Sequence, residues 1–229
     1  MMSATRISAK FCWIVHKDLV REFRSRQIAP RMLLLGATLC LLLTQQAGRI
    51  PGQLQEMAAS LCWMTLGFVA VLTLGPSVSR ERDQGCWTAL LSYPVPTHVV
   101  FLSKVAFNSV VFGAAQLLIV PLFVLMCDSR WCNQPGALAL VLALGNIGIT
   151  SAGTLMSVVS AEVDQGEGLL AVLFFPLLVP VLLAASEATR LLGDHQAAAE
   201  WSRWVQLLAA FSVVYLTVGW MLFEHMVED

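Results

Sequence analysis

The densest group of reactive side chains in this sequence is a charged island, Arg80-Glu81-Arg82-Asp83-Gln84-Gly85, followed by Cys86-Trp87-Thr88-Ala89-Leu90-Leu91-Ser92-Tyr93-Pro94. Its chemistry is docking rather than catalysis. Trp87, Leu90 and Leu91 fall at i, i+3 and i+4, which gives a short helix one apolar face, and Glu81 and Arg82 stand ready for charge pairing. Gly85 allows close backbone approach or a bend, and Pro94 and Pro96 end the segment. A folded amphipathic connector of this kind is a surface for another protein to push on.

Other chemistry is sparse. The chain has no GxxxxGK[ST] loop to cradle nucleotide phosphates, and no HExxH, GxSxG or CxxC. Those absences argue against a nucleotide-hydrolysing, zinc-protease, elbow-type hydrolase or thioredoxin-like role, so no enzyme activity is expected. The four histidines, His16, His98, His195 and His225, are scattered, and a solvated loop position for His195 competes with haem ligation. Six cysteines show no metal spacing. Cys127 and Cys132 fall together, leaving a local disulfide and free buried thiols as the two readings. No metal and no directly bound cofactor is expected, and no nucleic-acid partner.

The elements that must position the island are apolar spans. Met57 to Ser79 and Val105 to Cys127 each run 23 residues without charge, enough to cross a hydrocarbon core of about 30 Å as helices. Charge-free stretches occur at 32–48, 57–79, 105–127, 131–161, 168–186 and 204–223, and predict six transmembrane helices. The first, at 17 residues with Gln45 and Gln46 near its end, is the weakest, and Trp131 to Pro135 belongs to the loop before the fourth. Hydrophobic residues make up 57% and charged residues 13%, with mean hydropathy +0.72, too apolar for a water-soluble domain of 229 residues. The expected fold is all-α, a single integral membrane domain over 1–229. Within it lie a cytoplasmic or interfacial helix at 1–31, an inner connector at 79–98 and an outer loop at 187–203.

The net charge of −1 says little, but its distribution orients the chain. Seven of the 14 Lys and Arg residues precede the first span, which predicts a cytoplasmic N-terminus and, with six spans, a cytoplasmic C-terminus. Lys104 and the acidic run from Glu162 to Glu167 then fall on the inner side. The tail is no signal peptide, because its charged region is long and no small-x-small site follows. Ile7, Phe11, Ile14, Val15, Leu19 and Phe23 recur at helical spacing opposite Lys10, Lys17, Arg21 and Arg24. This is either an anchor on membrane lipid or a partner-binding element.

Within the spans, Gly145, Gly148 and Gly153 suit close helix packing. Asn108, Gln116 and Asn146 either bond between helices or line a pathway, and no Asp, Glu, Lys or Arg falls in the middle of a span, which disfavours ion-coupled transport. Pro176 and Pro180 remove two backbone donors from one face of the fifth span and predict a kinked, transmitting or static helix. Trp131, Trp201, Trp204 and Trp220 sit at span ends as expected belt residues.

The run Glu81-Arg82-Asp83-Gln84-Gly85 with Leu90-Leu91, Pro94, Pro96 and Lys104-Val105 resembles the connector of the ABC-2-type permeases. With Gly148, Gly153 and the Pro176/Pro180 pair beside Leu177 and Leu182, the resemblance narrows to the haem exporter protein B family, CcmB, of cytochrome c maturation. Two features depart from that pattern: Cys86-Trp87-Thr88 stands where the family has Ser-Leu-Glu, and the loop between spans four and five is acidic rather than basic. The resemblance implies an ABC-2-type permease in a bacterial inner membrane, paired with a separate ATP-binding subunit (CcmA-like). It also implies a haem-handling membrane protein (CcmC-like) and a haem chaperone (CcmE-like) as partners, with haem as handled ligand and ATP bound on the partner subunit. Its role is then haem export or ATP-driven release of the loaded chaperone. An ABC-2 permease for a drug, lipid or polysaccharide, and a membrane scaffold without transport, are the rival expectations.

Overall fold

A computed structural model describes residues 13, 15–17, 19–20, 28–48, 53–74, 97–127, 130–161, 166–192 and 198–229. Six long helices account for nearly all of them: α1 (Ile28–Ala47), α2 (Gln53–Leu74), α3 (Thr97–Cys127), α4 (Pro135–Ala161), α5 (Gly166–Leu191) and α6 (Ala198–Glu228). No strand occurs among the described residues.

The helix ends follow from local chemistry. Pro30 lies in the first turn of α1, where its missing N–H has no helical partner to lose. A short 3₁₀ turn, Arg130–Asn133, precedes α4, and Pro135 opens that helix while the Gln134 carbonyl accepts from Leu138 N at 3.0 Å. The 187–203 stretch, expected as an outer loop, is instead helical at both ends. An Arg190–Glu187 ion pair of 2.7 Å, three residues apart, extends α5 to Leu191. Ala198, Ala199 and a first-turn Glu200 start α6 early.

Five of the helices hold a stretch long and apolar enough to cross a membrane: Leu54–Val71, Val99–Cys127, Pro135–Ser157, Phe174–Leu191 and Ala198–Leu222. The bundle is therefore a multi-pass membrane fold. α1 is the helix of the expected six that falls short of this measure. Its exposed face carries Arg31, Thr38, Gln45 and Gln46, which lowers its apolarity.

α4 is the centre of the bundle and touches α2, α3, α5 and α6. The core around it includes Trp63, Leu66 and Val69 of α2, Phe112 and Phe123 of α3, and Phe174, Leu178 and Val181 of α5. α6 turns a broad apolar face outward, with Val213, Val214 and Met221 exposed as suits a helix against lipid. Of the N-terminal tail, the described residues are helical. Trp13 and Val20 are exposed there, while Val15 and Leu19 are half-buried; Ile7, Phe11, Ile14 and Phe23 lie outside the described residues.

Candidate functional site

The docking residues expected in the connector, Glu81, Arg82, Gly85, Trp87, Leu90, Leu91 and Pro94, all lie outside the described residues. What the structure shows is the element that receives the connector. α3 starts at Thr97, and Val99, Val100 and Phe101 are at 6% exposure or less. The Phe101 ring occupies the space that a side chain at Gly219 of α6 would need. Phe101 thus seats the start of α3 directly against α6.

Lys104, expected in the inner loop before the third span, lies two turns inside α3 and is only 5% exposed. The helix begins earlier than the charge-free stretch because Thr97 to Ser103 carries no Gly or Pro to break it.

Beyond Lys104, α3 and α4 share a polar seam. Asn108 Nδ2 donates to Thr154 Oγ1 at 2.9 Å, and the hydroxyls of Ser109 and Thr150 meet at 2.9 Å. Asn146 Nδ2 donates both to the Ser109 carbonyl at 3.1 Å and to Gln116 Oε1 at 3.0 Å. The three amides noted in the sequence thus bond between helices, which is how lipid-embedded bundles hold polar side chains. Two of their atoms, Gln116 Nε2 and Asn146 Oδ1, are buried without a hydrogen-bond partner among the described residues.

Three of the four glycines of α4, Gly145, Gly148 and Gly153, sit at close approaches. A Cβ at Gly145 would collide with the Trp63 ring. One at Gly148 would lie 3.0 Å from Ser212 Oγ, and one at Gly153 would lie 3.0 Å from Leu74 Cβ. Ser212 itself donates to the Leu144 carbonyl at 3.0 Å, tying α6 to α4. Trp63 was not singled out by its sequence context, yet its indole N–H donates to Thr189 Oγ1 of α5 at 2.8 Å. No local pattern marks it, because its partners come from distant helices.

α5 stays one helix through Pro176 and Pro180. Pro180 deprives the Pro176 carbonyl of its donor, and at the next position the Leu177 carbonyl accepts from the Tyr215 hydroxyl of α6 at 2.7 Å. Phe175 packs on Phe68 of α2, ring centres 5.3 Å apart at 57°.

One expectation is corrected, and one open pair of readings is decided. Trp131 is 4% exposed and belongs to the core rather than to an interfacial belt, because the 3₁₀ turn folds it back on the bundle. Trp220 is exposed, while Trp201 and Trp204 pack partly against the core. Cys127 is a free, buried thiol, so no bridge to Cys132 forms, and Cys40 and Cys62 are likewise free and buried. Among the described residues, no group of three or more His, Cys, Asp or Glu side chains is arranged to hold a metal.

The model of the CcmB protein family matches residues 9–228, nearly the whole chain and every helix described above. The chain belongs to the CcmB family. Its similarity to curated relatives is lower but extensive. It is 29% identical to heme exporter protein B of Pseudomonas aeruginosa over 135 residues, 59% of this chain, and spans about 60% of that relative's length. It is 25% identical to heme exporter protein B of Bradyrhizobium diazoefficiens over 169 residues, 72% of this chain and 73% of the relative. Against heme exporter protein B of Paracoccus denitrificans the identity is 26% over 151 residues, 66% of this chain and 69% of the relative.

Proposed function

We propose that this CcmB-family chain is the membrane permease subunit of an ABC transporter acting in cytochrome c maturation. Its task is haem export, or ATP-driven release of a haem-loaded chaperone. The observation that carries the reading is the family match across residues 9–228 on a bundle of long apolar helices. The name of the relatives, heme exporter protein B, supplies the cargo.

The sequence has no phosphate-binding loop, so ATP is hydrolysed on a separate CcmA-like subunit that docks on the connector around Glu81, Arg82, Gly85, Trp87, Leu90, Leu91 and Pro94. Docking faces the cytoplasm of a bacterial inner membrane, with both termini on that side. Movement passes from the connector into α3, across Phe101 to α6, and from α6 through Tyr215 to the proline-bearing part of α5. CcmC-like and CcmE-like proteins receive it on the opposite side. Support for such a path comes from discrete side-chain contacts between whole helices, which move as units.

The test is co-purification. The tagged chain brings down a P-loop ATPase from its own membrane, and changing both Leu90→Asp and Leu91→Asp abolishes that recovery while insertion persists. Unchanged recovery moves docking away from the connector, and no ATPase with the unaltered chain refutes the permease reading.

A further inference from the structure

The described residues of the N-terminal tail, 13, 15–17, 19 and 20, are all helical. Trp13 is 68% exposed, Val20 is 50% exposed and His16 is exposed with them, while Val15, Lys17 and Leu19 are half-buried. Trp13, His16 and Val20 stand at i, i+3 and i+7 and so share one side of the helix, whereas Val15 and Leu19, at i and i+4, mark another. The apolar side that the sequence pattern offers to lipid is thus partly covered at Val15 and Leu19. The side that stays open carries an indole and a valine.

Charge follows the same division in the sequence. Lys10, Lys17, Arg21 and Arg24 are spaced, in steps of three and four residues, with Trp13 and Val20. The two acids of the tail, Asp18 and Glu22, are spaced with Val15 and Leu19 instead. Up to Arg31 the tail holds seven basic residues against those two acidic ones. Val20 is eight residues from Ile28, where α1 starts, a chain length of at most about 28 Å, so the helix cannot leave the membrane face at which the bundle begins. Indole rings favour the headgroup layer, where one end of the ring is apolar and the other wet, and long basic side chains reach phosphates from the same depth.

We propose that the Trp13–Val20 side of the tail is a docking surface for the anionic phospholipids of the bilayer. Trp13 and Val20 enter the interface, and Lys17 with the cations spaced beside it meets the phosphates. The lipid-facing side is therefore the basic one, and the more apolar side turns toward the protein at Val15 and Leu19. Apolar contact sets the depth of the helix, and charge selects anionic over zwitterionic headgroups. The surface does not depend on the permease reading, because it needs neither a cargo nor an ATPase.

The experiment uses the purified full chain in nanodiscs of phosphatidylcholine alone and of phosphatidylcholine mixed with phosphatidylglycerol, read by amide hydrogen exchange with peptide mapping. Exchange within 10–24 is expected to slow at least about fivefold on the mixture, and high salt to remove the difference. Lys17→Gln, Arg21→Gln and Arg24→Gln together return exchange on the mixture to the phosphatidylcholine level. Trp13→Ser with Val20→Ser raises it on both compositions, acting through apolar contact alone. Peptides of α4 keep their exchange in every variant, which separates loss of lipid contact from loss of fold. Equal exchange on the two compositions, slowing that salt leaves intact, or variants that exchange like the unaltered chain overturn the proposal. Slowing that requires an added ATPase subunit assigns the surface to a protein and overturns it too.

Discussion

The Tyr215 hydroxyl of α6 donates to the Leu177 carbonyl of α5 at 2.7 Å, one residue past the carbonyl that Pro180 leaves without a donor. This bond joins the last two helices where the α5 backbone ladder is weakest. Tyr215→Phe keeps the ring and removes only the bond. The expected cost is about 1 kcal/mol in reversible unfolding of the purified chain in mixed micelles, at the level of interhelical bonds in lipid. A midpoint equal to the unaltered protein would show that the bond carries no net stability.

Restoring the donors tests the prolines themselves. Changing Pro176→Ala and Pro180→Ala together returns two backbone bonds to α5 and should stiffen it. The expected outcome is impaired haem attachment to c-type cytochromes with normal recovery of the ATPase partner, measured side by side in one strain. Full maturation with both prolines removed would show that the proline pair plays no part in the chain's task.

The Trp63 side chain fixes α2 against both α4 and α5, by its ring at Gly145 and its N–H at Thr189. Gly145→Leu should prevent correct packing, since the ring has a fully buried site and nowhere to move. Trp63→Ala should cost about 3–5 kcal/mol through the cavity it leaves. Trp63→Phe, which loses the N–H and part of the ring, should fall between that and no effect. Yields and unfolding midpoints of the three variants give the order directly.

Orientation rests on the seven basic residues before the first span. Reporters fused after Val78, after Glu167 and at Asp229 should behave as cytoplasmic, and those at Gly52, Asn133 and His195 as periplasmic. An externally active reporter at Glu167 would remove the six-span arrangement. Such a result would bear first on α1, the helix whose exposed face carries Arg31, Gln45 and Gln46.

Much of the fold was legible because lipid demands long uninterrupted apolar runs. The six charge-free stretches each fall within or overlap one long helix. Their limits were less legible. A helix ends where its backbone loses partners rather than where charge appears, so Lys104 lies inside α3, and Glu187 and Arg190 lie inside α5. Gly145, Gly148 and Gly153 stood out by their lack of side chains, and the structure sets each against a bulky or polar neighbour. Trp63 and Trp131 carried no such signal: an indole in an apolar run fits a membrane belt and a core position equally well by sequence, and only the packing of distant helices separates them.

The most direct measurement for the central claim is haem staining of c-type cytochromes in membranes from a strain lacking this chain. The account predicts that covalent haem attachment disappears, that b-type cytochromes stay normal, and that the intact chain restores attachment. Normal c-type cytochromes in that strain would contradict the assignment to cytochrome c maturation and leave a CcmB-family permease acting on another cargo.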